Sequence, residues 1–182
     1  MYFKDINHYG DRGLIIDFGI ESSKDVSQEI NAAIIYLKDL KLPTLNTIRS
    51  YNKIVLYFEN TEEKQKSIKT LEIKMKDFRP LDIKRPYKRW NIPACYDPQY
   101  ALDFERIQKL HDLSNLEIIN LHTKKIYYNY YIGFMPGFPY LGEIPSKLIT
   151  PRLSSPRLQI PARSVGIAKE HTCIYPKTSP GG

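Results

Sequence analysis

The sequence predicts an α+β protein of two small domains, a helix-containing N-terminal one and a strand-rich C-terminal one. Three observations lead there. Residues 1–80 alternate short strand-like runs with two helix-like runs. Residues 77–88 are charged and contain Pro80 and Pro86, a composition suited to a boundary. From Tyr130 to Gly182, Gly or Pro recurs every few residues between short apolar runs. That last composition rules out a long helix, because Pro removes a backbone donor and Gly is entropically costly there. It suits short strands joined by tight turns, as in a small barrel or sandwich. The expected domains are therefore 1–82, a small α/β sandwich, and 83–182, a β-domain.

Taken in order, Gly10-Asp11-Arg12-Gly13 predicts a turn and Leu14–Phe18 a strand after it. Ser22–Leu42 reads as a helix, since Val26, Ile30, Ala33, Ile34 and Leu37 recur at helical spacing. Pro43 stops it. Leu45–Phe58 holds two strand-like runs around Tyr51-Asn52-Lys53, a hairpin signal. Thr61–Met75 predicts a second amphipathic helix with Ile68, Leu71 and Met75 on one face and Thr61 as its cap. In the second domain, Tyr87–Tyr96 reads as a strand and Ala101–Leu110 as a helix with Leu102, Ile107 and Leu110 on its apolar side. A short helix follows from Ser114, which forms a capping box with Glu117. Thr123–Tyr131 reads as a strand leading into the Gly/Pro segment.

Composition narrows the function classes. A chain of 182 residues with 42% hydrophobic content can bury a sizeable core. The net charge of +7 is spread along the chain. The run Lys84-Arg85-Pro86-Tyr87-Lys88-Arg89-Trp90 has no binding motif beside it, and the two short helices of Ala101–His122 carry Asp103, Glu105, Asp112 and Glu117, which repel phosphates, so no nucleic-acid partner is expected. No apolar run approaches the roughly 18 residues of a spanning helix, and the N-terminus lacks a signal-peptide core, so the expectation is a cytoplasmic protein with no membrane partner. Cys95 and Cys173 match no metal or redox spacing and are read as reduced, buried small hydrophobes. His8, His111, His122 and His171 show no ligand spacing, so no metal is expected, and His122 is read as meeting helix-terminal carbonyls.

Candidate binding residues lie in the last third. Arg152 and Arg157 stand in Thr150-Pro151-Arg152 and Ser155-Pro156-Arg157. Each guanidinium follows a Pro, leaves a stiff segment, and so suits a carboxylate or phosphate. The alternative is that both hold the fold together by pairing with acids or carbonyls. Ser164, between Arg163 and Val165 in a strand-like run, is read as structural when taken alone. No phosphate-loop or nucleophile-elbow signature is present, so no catalytic residue is assigned and no ATP site is expected within this chain.

The ordered motifs Gly133-Phe134-Met135-Pro136-Gly137-Phe138-Pro139-Tyr140-Leu141-Gly142-Glu143, Thr150-Pro151-Arg152, Ser155-Pro156-Arg157, Ile160–Ala168, Thr172, Tyr175-Pro176 and Ser179–Gly182 carry a resemblance. They resemble the allophanate hydrolase subunit 1 family, which includes KipI and the B subunit of the ATP-dependent 5-oxoprolinase. The family pattern reads GFxPGFPYLGG, TPR and SPR, IPAGSVGIAG, T-G-x-YP and SPGGW. The resemblance implies a cyclophilin-like β-barrel for 83–182 and a role in ATP-dependent cleavage of 5-oxoproline to glutamate. It implies ATP with Mg at the level of a complex, a homologous second subunit akin to allophanate hydrolase subunit 2 or the C subunit of 5-oxoprolinase, and a third subunit. Fused relatives occur in urea carboxylase. The alternatives are a KipI-type inhibitor of a sporulation histidine kinase, or an inactive truncated member. On this resemblance Arg152, Arg157, Ser164 and Thr172 would bind substrate or phosphate, and Gly133, Phe134, Pro136, Gly137, Phe138, Tyr140 and Tyr175 would line the pocket. Arg163, Lys169, His171 and Cys173 depart from the family, replacing Gly, a small residue, Gln and Gly; they crowd a turn that the family keeps open. The chain stops where the family continues into further strands, which predicts an incomplete barrel.

Overall fold

A computed structural model describes residues 2–20, 23–80 and 88–182. The chain divides into two compact units, Met1–Tyr87 and Lys88–Gly182. The expected boundary after residue 82 and the part of the basic run before Lys88 lie outside the described residues.

The first unit contains β1 (Asp5–Tyr9), β2 (Gly13–Asp17), α1 (Lys24–Asp39), β3 (Thr44–Arg49), β4 (Lys53–Phe58) and α2 (Thr61–Asp77). Its strands form one antiparallel sheet in the order β1-β2-β4-β3. Period-two alternation puts Leu14 and Ile16 of β2 beside Leu56 and Ile54 of β4 on a single face, all of them buried. Val26, Ile30, Ala33 and Leu37 of α1 and Leu71 and Met75 of α2 close over that face. Ser23 caps α1 through a bond from the Val26 N–H. Asn60 caps α2 by accepting from the Glu63 N–H, so the cap lies one residue before the expected Thr61. The strand β1 was not expected. Its sequence DINHY is exposed at four of five positions and carries no apolar alternation; pairing with β2, the packing of Ile6 on the core and the edge-on contact of Tyr9 with Tyr57 hold it.

The second unit contains α3 (Phe104–His111), α4 (Asn115–Lys124), β5 (Tyr128–Ile132), β6 (Pro139–Gly142), a short 3-10 turn (Ser146–Leu148), β7 (Arg157–Ile160), β8 (Val165–Ala168), β9 (His171–Ile174) and β10 (Ser179–Gly181). The capping box at Ser114 and Glu117 is formed as expected. The strand expected at 87–96 is absent over 88–96, where Pro93 interrupts the run and all but Tyr96 of the side chains are exposed. The strand expected at 123–131 starts only at Tyr128, because Thr123 and Lys124 complete the last turn of α4. The strands pair antiparallel as a four-stranded sheet, β5-β6-β9-β8, and a two-stranded ribbon, β7-β10. Among the described residues these pairings form two separate antiparallel sheets, in line with the mixed helix-and-sheet fold that was expected. Leu141, Thr172 and Ile167 form one cross-strand row. Ile167 of that row packs in the cluster of Ile118, Ile144 and Leu148 with Phe104 and Leu121 of the two helices. The row therefore faces the helical layer, and the neighbouring row of Tyr140, Cys173 and Gly166 faces away from it.

Candidate functional site

The face turned away from the helices carries the candidate site. The β5–β6 hairpin turns through Gly133–Phe138, closed by the Gly133 N–H donating to the Phe138 carbonyl at 3.1 Å and the Phe138 N–H to the Met135 carbonyl at 3.1 Å. Gly137 takes φ +83°, which its missing Cβ permits. Phe134, with φ +66°, adopts the same left-handed region at a cost and still leaves its ring 64% exposed.

Phe138 is the hub of an aromatic cluster. Its buried ring stands edge-on to Phe134 (5.3 Å, 78°), Tyr140 (5.1 Å, 61°) and Tyr175 (5.1 Å, 86°). Tyr140 stacks on Tyr131 at 4.4 Å and 12°. These contact geometries suit the ring quadrupoles. Pro136 and Gly137 are exposed on the turn. Gly166 leaves room for its neighbours: a Cβ there would sit 3.1 Å from the Cys173 Sγ and 3.3 Å from the Tyr175 ring. The backbone of Gly181 passes over the Tyr175 hydroxyl in the same way.

The two arginines of the Pro-Arg motifs separate. Arg157 donates two hydrogen bonds to Asp103, at 2.8 and 2.7 Å. This is the structural alternative, an acid pair tying β7 to the start of α3, and it removes Arg157 from the candidate binding set. Arg152 is exposed and makes no ion pair among the described residues. Its charge is felt at Cys173 and Tyr175. Burial pushes the Cys173 thiol up to about 11, and burial also raises Tyr175; Arg152 opposes both shifts.

Ser164 and Thr172 act through the backbone and the helices. The Ser164 carbonyl accepts the Tyr175 N–H at 2.9 Å, so this residue positions the Tyr175 segment. The buried Thr172 hydroxyl donates to the Gly166 carbonyl at 2.9 Å and lies 3.3 Å from His122 Nε2. Its only proton is therefore committed, and it accepts from His122 Nε2–H. His122 Nδ1 then accepts from the Tyr96 hydroxyl at 2.6 Å. His122 thus links side chains instead of capping carbonyls, and burial lowers its pKa. His111 makes a parallel link, with Nε2 at 3.0 Å from the buried Thr150 hydroxyl, which donates to the Leu148 carbonyl. Cys95 is exposed, contrary to the expectation that it is buried, and both cysteines are free.

Among the described residues no three His, Cys, Asp or Glu side chains could hold a metal ion together, and no helix is long and apolar enough to cross a membrane. An open groove of about 570 Å³ runs elsewhere, along α3, between Leu102, Glu105, Arg106, Lys109 and Leu110. It lacks the buried aromatic wall of the Phe138 face, which is the better candidate. Two contributors escaped the sequence reading. Tyr131 reads as an ordinary strand residue until its stacking partner is known, and Asp103 becomes the partner of Arg157 only through the fold.

A profile of the carboxyltransferase domain, subdomain C and D, matches residues 4–182. A curated relative from Bacillus subtilis, the B subunit of 5-oxoprolinase, is 34% identical over 97% of this chain and 78% of its own length. The Haemophilus influenzae protein of the same name is 42% identical over 61% of this chain and 49% of its own. Among solved structures, TTHA0988 superposes with a TM-score of 0.78 at 30% identity, covering 94% of this chain and 34% of that one. The chain thus spans about a third of that structural relative. The Kluyveromyces lactis urea carboxylase shares the fold, with a TM-score of 0.71 at 16% identity, over 97% of this chain and 18% of that one.

Proposed function

The chain belongs to the carboxyltransferase subdomain C and D family, and from that membership and its likeness to a 5-oxoprolinase B subunit we propose that it is the B subunit of an ATP-dependent 5-oxoprolinase, active only with partner subunits. The observation that carries this reading is sequence identity with a 5-oxoprolinase B subunit along nearly the whole chain. The reaction converts 5-oxo-L-proline, ATP and water to L-glutamate, ADP and phosphate. The partners are a homologous second subunit and a third subunit, the cofactor is ATP with Mg at the level of the assembly, and the compartment is the cytoplasm. A cyclophilin-like barrel belongs to the same proposal.

The chemistry explains the need for ATP. A lactam carbonyl is resonance-stabilised and a poor electrophile. Transfer of a phosphoryl group to its oxygen releases ADP and creates a good leaving group, so that water can attack the carbon, the C–N bond can open and phosphate can depart. In this chain the contribution we assign is substrate binding. Arg152 offers a charged anchor to the 5-oxoproline carboxylate, and the rings of Phe134, Phe138, Tyr140 and Tyr175 offer an apolar wall to the five-membered ring.

The test is co-expression with the second and third subunits followed by an assay of ATP-dependent glutamate release from 5-oxoproline. Release by the assembly and none by the purified single chain is the expected result. An assembly that forms and releases no glutamate overturns the reading; kinase inhibition by the same preparation would then favour the KipI-type role.

A further inference from the structure

A line of hydrogen bonds crosses the second unit from Tyr96 to the sheet that carries the candidate site. The Thr172 hydroxyl has one proton and gives it to the Gly166 carbonyl at 2.9 Å. His122 Nε2, 3.3 Å from that hydroxyl, is therefore the donor to Thr172, and His122 Nδ1 accepts from the Tyr96 hydroxyl at 2.6 Å. Every donor in the line points toward the sheet, so each bond polarises the next. Thr172 is buried, which denies it water as a substitute partner. The Tyr127 hydroxyl steadies the end of α4 by donating to the His122 carbonyl at 2.7 Å.

The line ends on a carbonyl gripped from both faces of the sheet. Thr172 reaches Gly166 from the helical layer, and Cys173, on the opposite face, donates its S–H to the same oxygen at 3.7 Å. Gly166 is also where the site rests on backbone. A Cβ there would lie 3.1 Å from Cys173 Sγ and 3.3 Å from the Tyr175 ring, so thiol and ring sit directly on this peptide. The Tyr175 ring in turn stands edge-on to Phe138 at 5.1 Å and 86°. The Tyr175 N–H is tied to the Ser164 carbonyl at 2.9 Å, two residues before Gly166. A shift of the Gly166 peptide therefore passes to the Tyr175 ring and to the aromatic wall around Phe138.

We infer that the Tyr96–His122–Thr172 line positions the aromatic wall of the candidate site from the far side of the sheet, which makes Tyr96 and Thr172 positioning residues for a ligand that neither touches. The inference rests on the reading of the Phe138 face as the substrate site. A wall of rings in mutual edge contact binds a small ring only when its members are held in place, and the held member here is Tyr175.

The experiment titrates the full chain with 5-oxo-L-proline by calorimetry, well below the melting midpoint of each variant. Thr172→Val, which removes the proton given to Gly166, is expected to weaken binding about tenfold, and Thr172→Ser, which restores it, to stay within about twofold of the parent. Tyr96→Phe keeps the ring contacts with Phe104 and His122 and breaks the line at its outer end; a loss of about threefold is expected. Phe134→Ala removes an exposed part of the wall and tests the site itself. A line that served the fold alone would lower the melting temperature in Thr172→Val and Tyr96→Phe and leave the dissociation constant of the folded protein unchanged. Weakening by Phe134→Ala with unchanged binding in Tyr96→Phe overturns the inference and leaves the site, and this holds even where Thr172→Val does not fold. No binding to the parent chain, or indifference to Phe134→Ala, overturns the site reading and the inference with it.

Discussion

Arg157 and Asp103 close a two-bond ion pair between β7 and the N-terminal end of α3, with oxygen–nitrogen distances of 2.8 and 2.7 Å. Asp103 stands at the N-cap position without making a side-chain cap, so the pair, not the cap, is what its carboxylate does. About a third of each side chain remains exposed, at 33% and 37%, so water screens the pair and its worth is about 1 kcal/mol. Arg157→Ala and Asp103→Ala should each lower the stability of the second unit by that amount. The double variant should cost little more than either single change, because both remove the same interaction. Turnover of the assembled enzyme should stay within about twofold. Denaturant titration of the four proteins measures the first effect; a large loss of turnover in Arg157→Ala would return this residue to the substrate site.

Arg152 differs from Arg157 in having no acid partner among the described residues. Arg152→Ala should reduce kcat/KM of the assembled complex more than tenfold while leaving assembly intact, since a lost charge-assisted contact costs roughly 1.5–3 kcal/mol. Activity within twofold of the parent would remove Arg152 from the site.

Gly142 is packed where no side chain fits. A Cβ there would sit 2.6 Å from His171 Nδ1 and 2.8 Å from the Tyr130 ring. Both neighbours are held in the sheet, His171 opposite Gly142 in β9 and Tyr130 in β5. Gly142→Ala should therefore destabilise by about 1–3 kcal/mol, the range for overpacking. Gly137→Ala meets only Pro176, at 3.5 Å, but must hold φ +83°, so its cost is conformational. Thermal melts of the two variants separate the causes.

Buried histidines make stability depend on pH. Burial lowers the pKa of His122, and burial also lowers that of His171 against the opposing pull of Glu170 and Glu143. The unfolded chain then binds more protons than the folded one just below the ordinary histidine value of about 6.5. The stabilising effect of keeping these rings neutral is present above that pH and is lost as pH falls through 6.5 toward their lowered folded values. Protonated His122 would also place an Nδ1–H where the ring now accepts from Tyr96. Unfolding midpoints measured from pH 7.5 down to 5 should fall, and the slope should flatten in His122→Gln, which cannot titrate.

What the sequence disclosed follows from how local each signal is. The helical spacing of α1, the capping box of α4 and the β3–β4 hairpin are short-range patterns, and all are in the structure. The strand β1 escaped because an edge strand paired on one side needs no apolar alternation. Residues 87–96 suggested a strand because Tyr, Trp and Ile are plentiful there, yet Pro93 and the lack of a pairing partner leave 88–96 irregular. At the candidate site, the Gly/Pro hairpin and its aromatics were readable as a unit. The separate roles of Arg152 and Arg157 were not, because identical Pro-Arg dipeptides differ only in what the fold brings to them, Asp103 in one case and Tyr175 in the other.

The two units also differ in core, and this sets an order of unfolding. In the first unit, fourteen buried apolar residues form one cluster spanning two strands and both helices. In the second, the cluster has three fully buried members, Ile118, Ile144 and Leu148, ringed by half-buried ones, while Leu102, Leu116 and Leu158 remain exposed. Each buried large aliphatic contributes about 1.5–3 kcal/mol, so the larger cluster outweighs the smaller by far more than the about 1 kcal/mol of a screened ion pair. Residues 1–80 should therefore fold by themselves with one cooperative transition. In the whole chain, amide exchange should be slowest in β2, β4 and α1 and faster in β8 and β9, whose packing on the helices runs through Ile167 and Thr172. Hydrogen exchange read by mass spectrometry decides it: protection in β8 and β9 equal to that in β4 would mean that the second unit draws its stability from interactions other than its buried cluster.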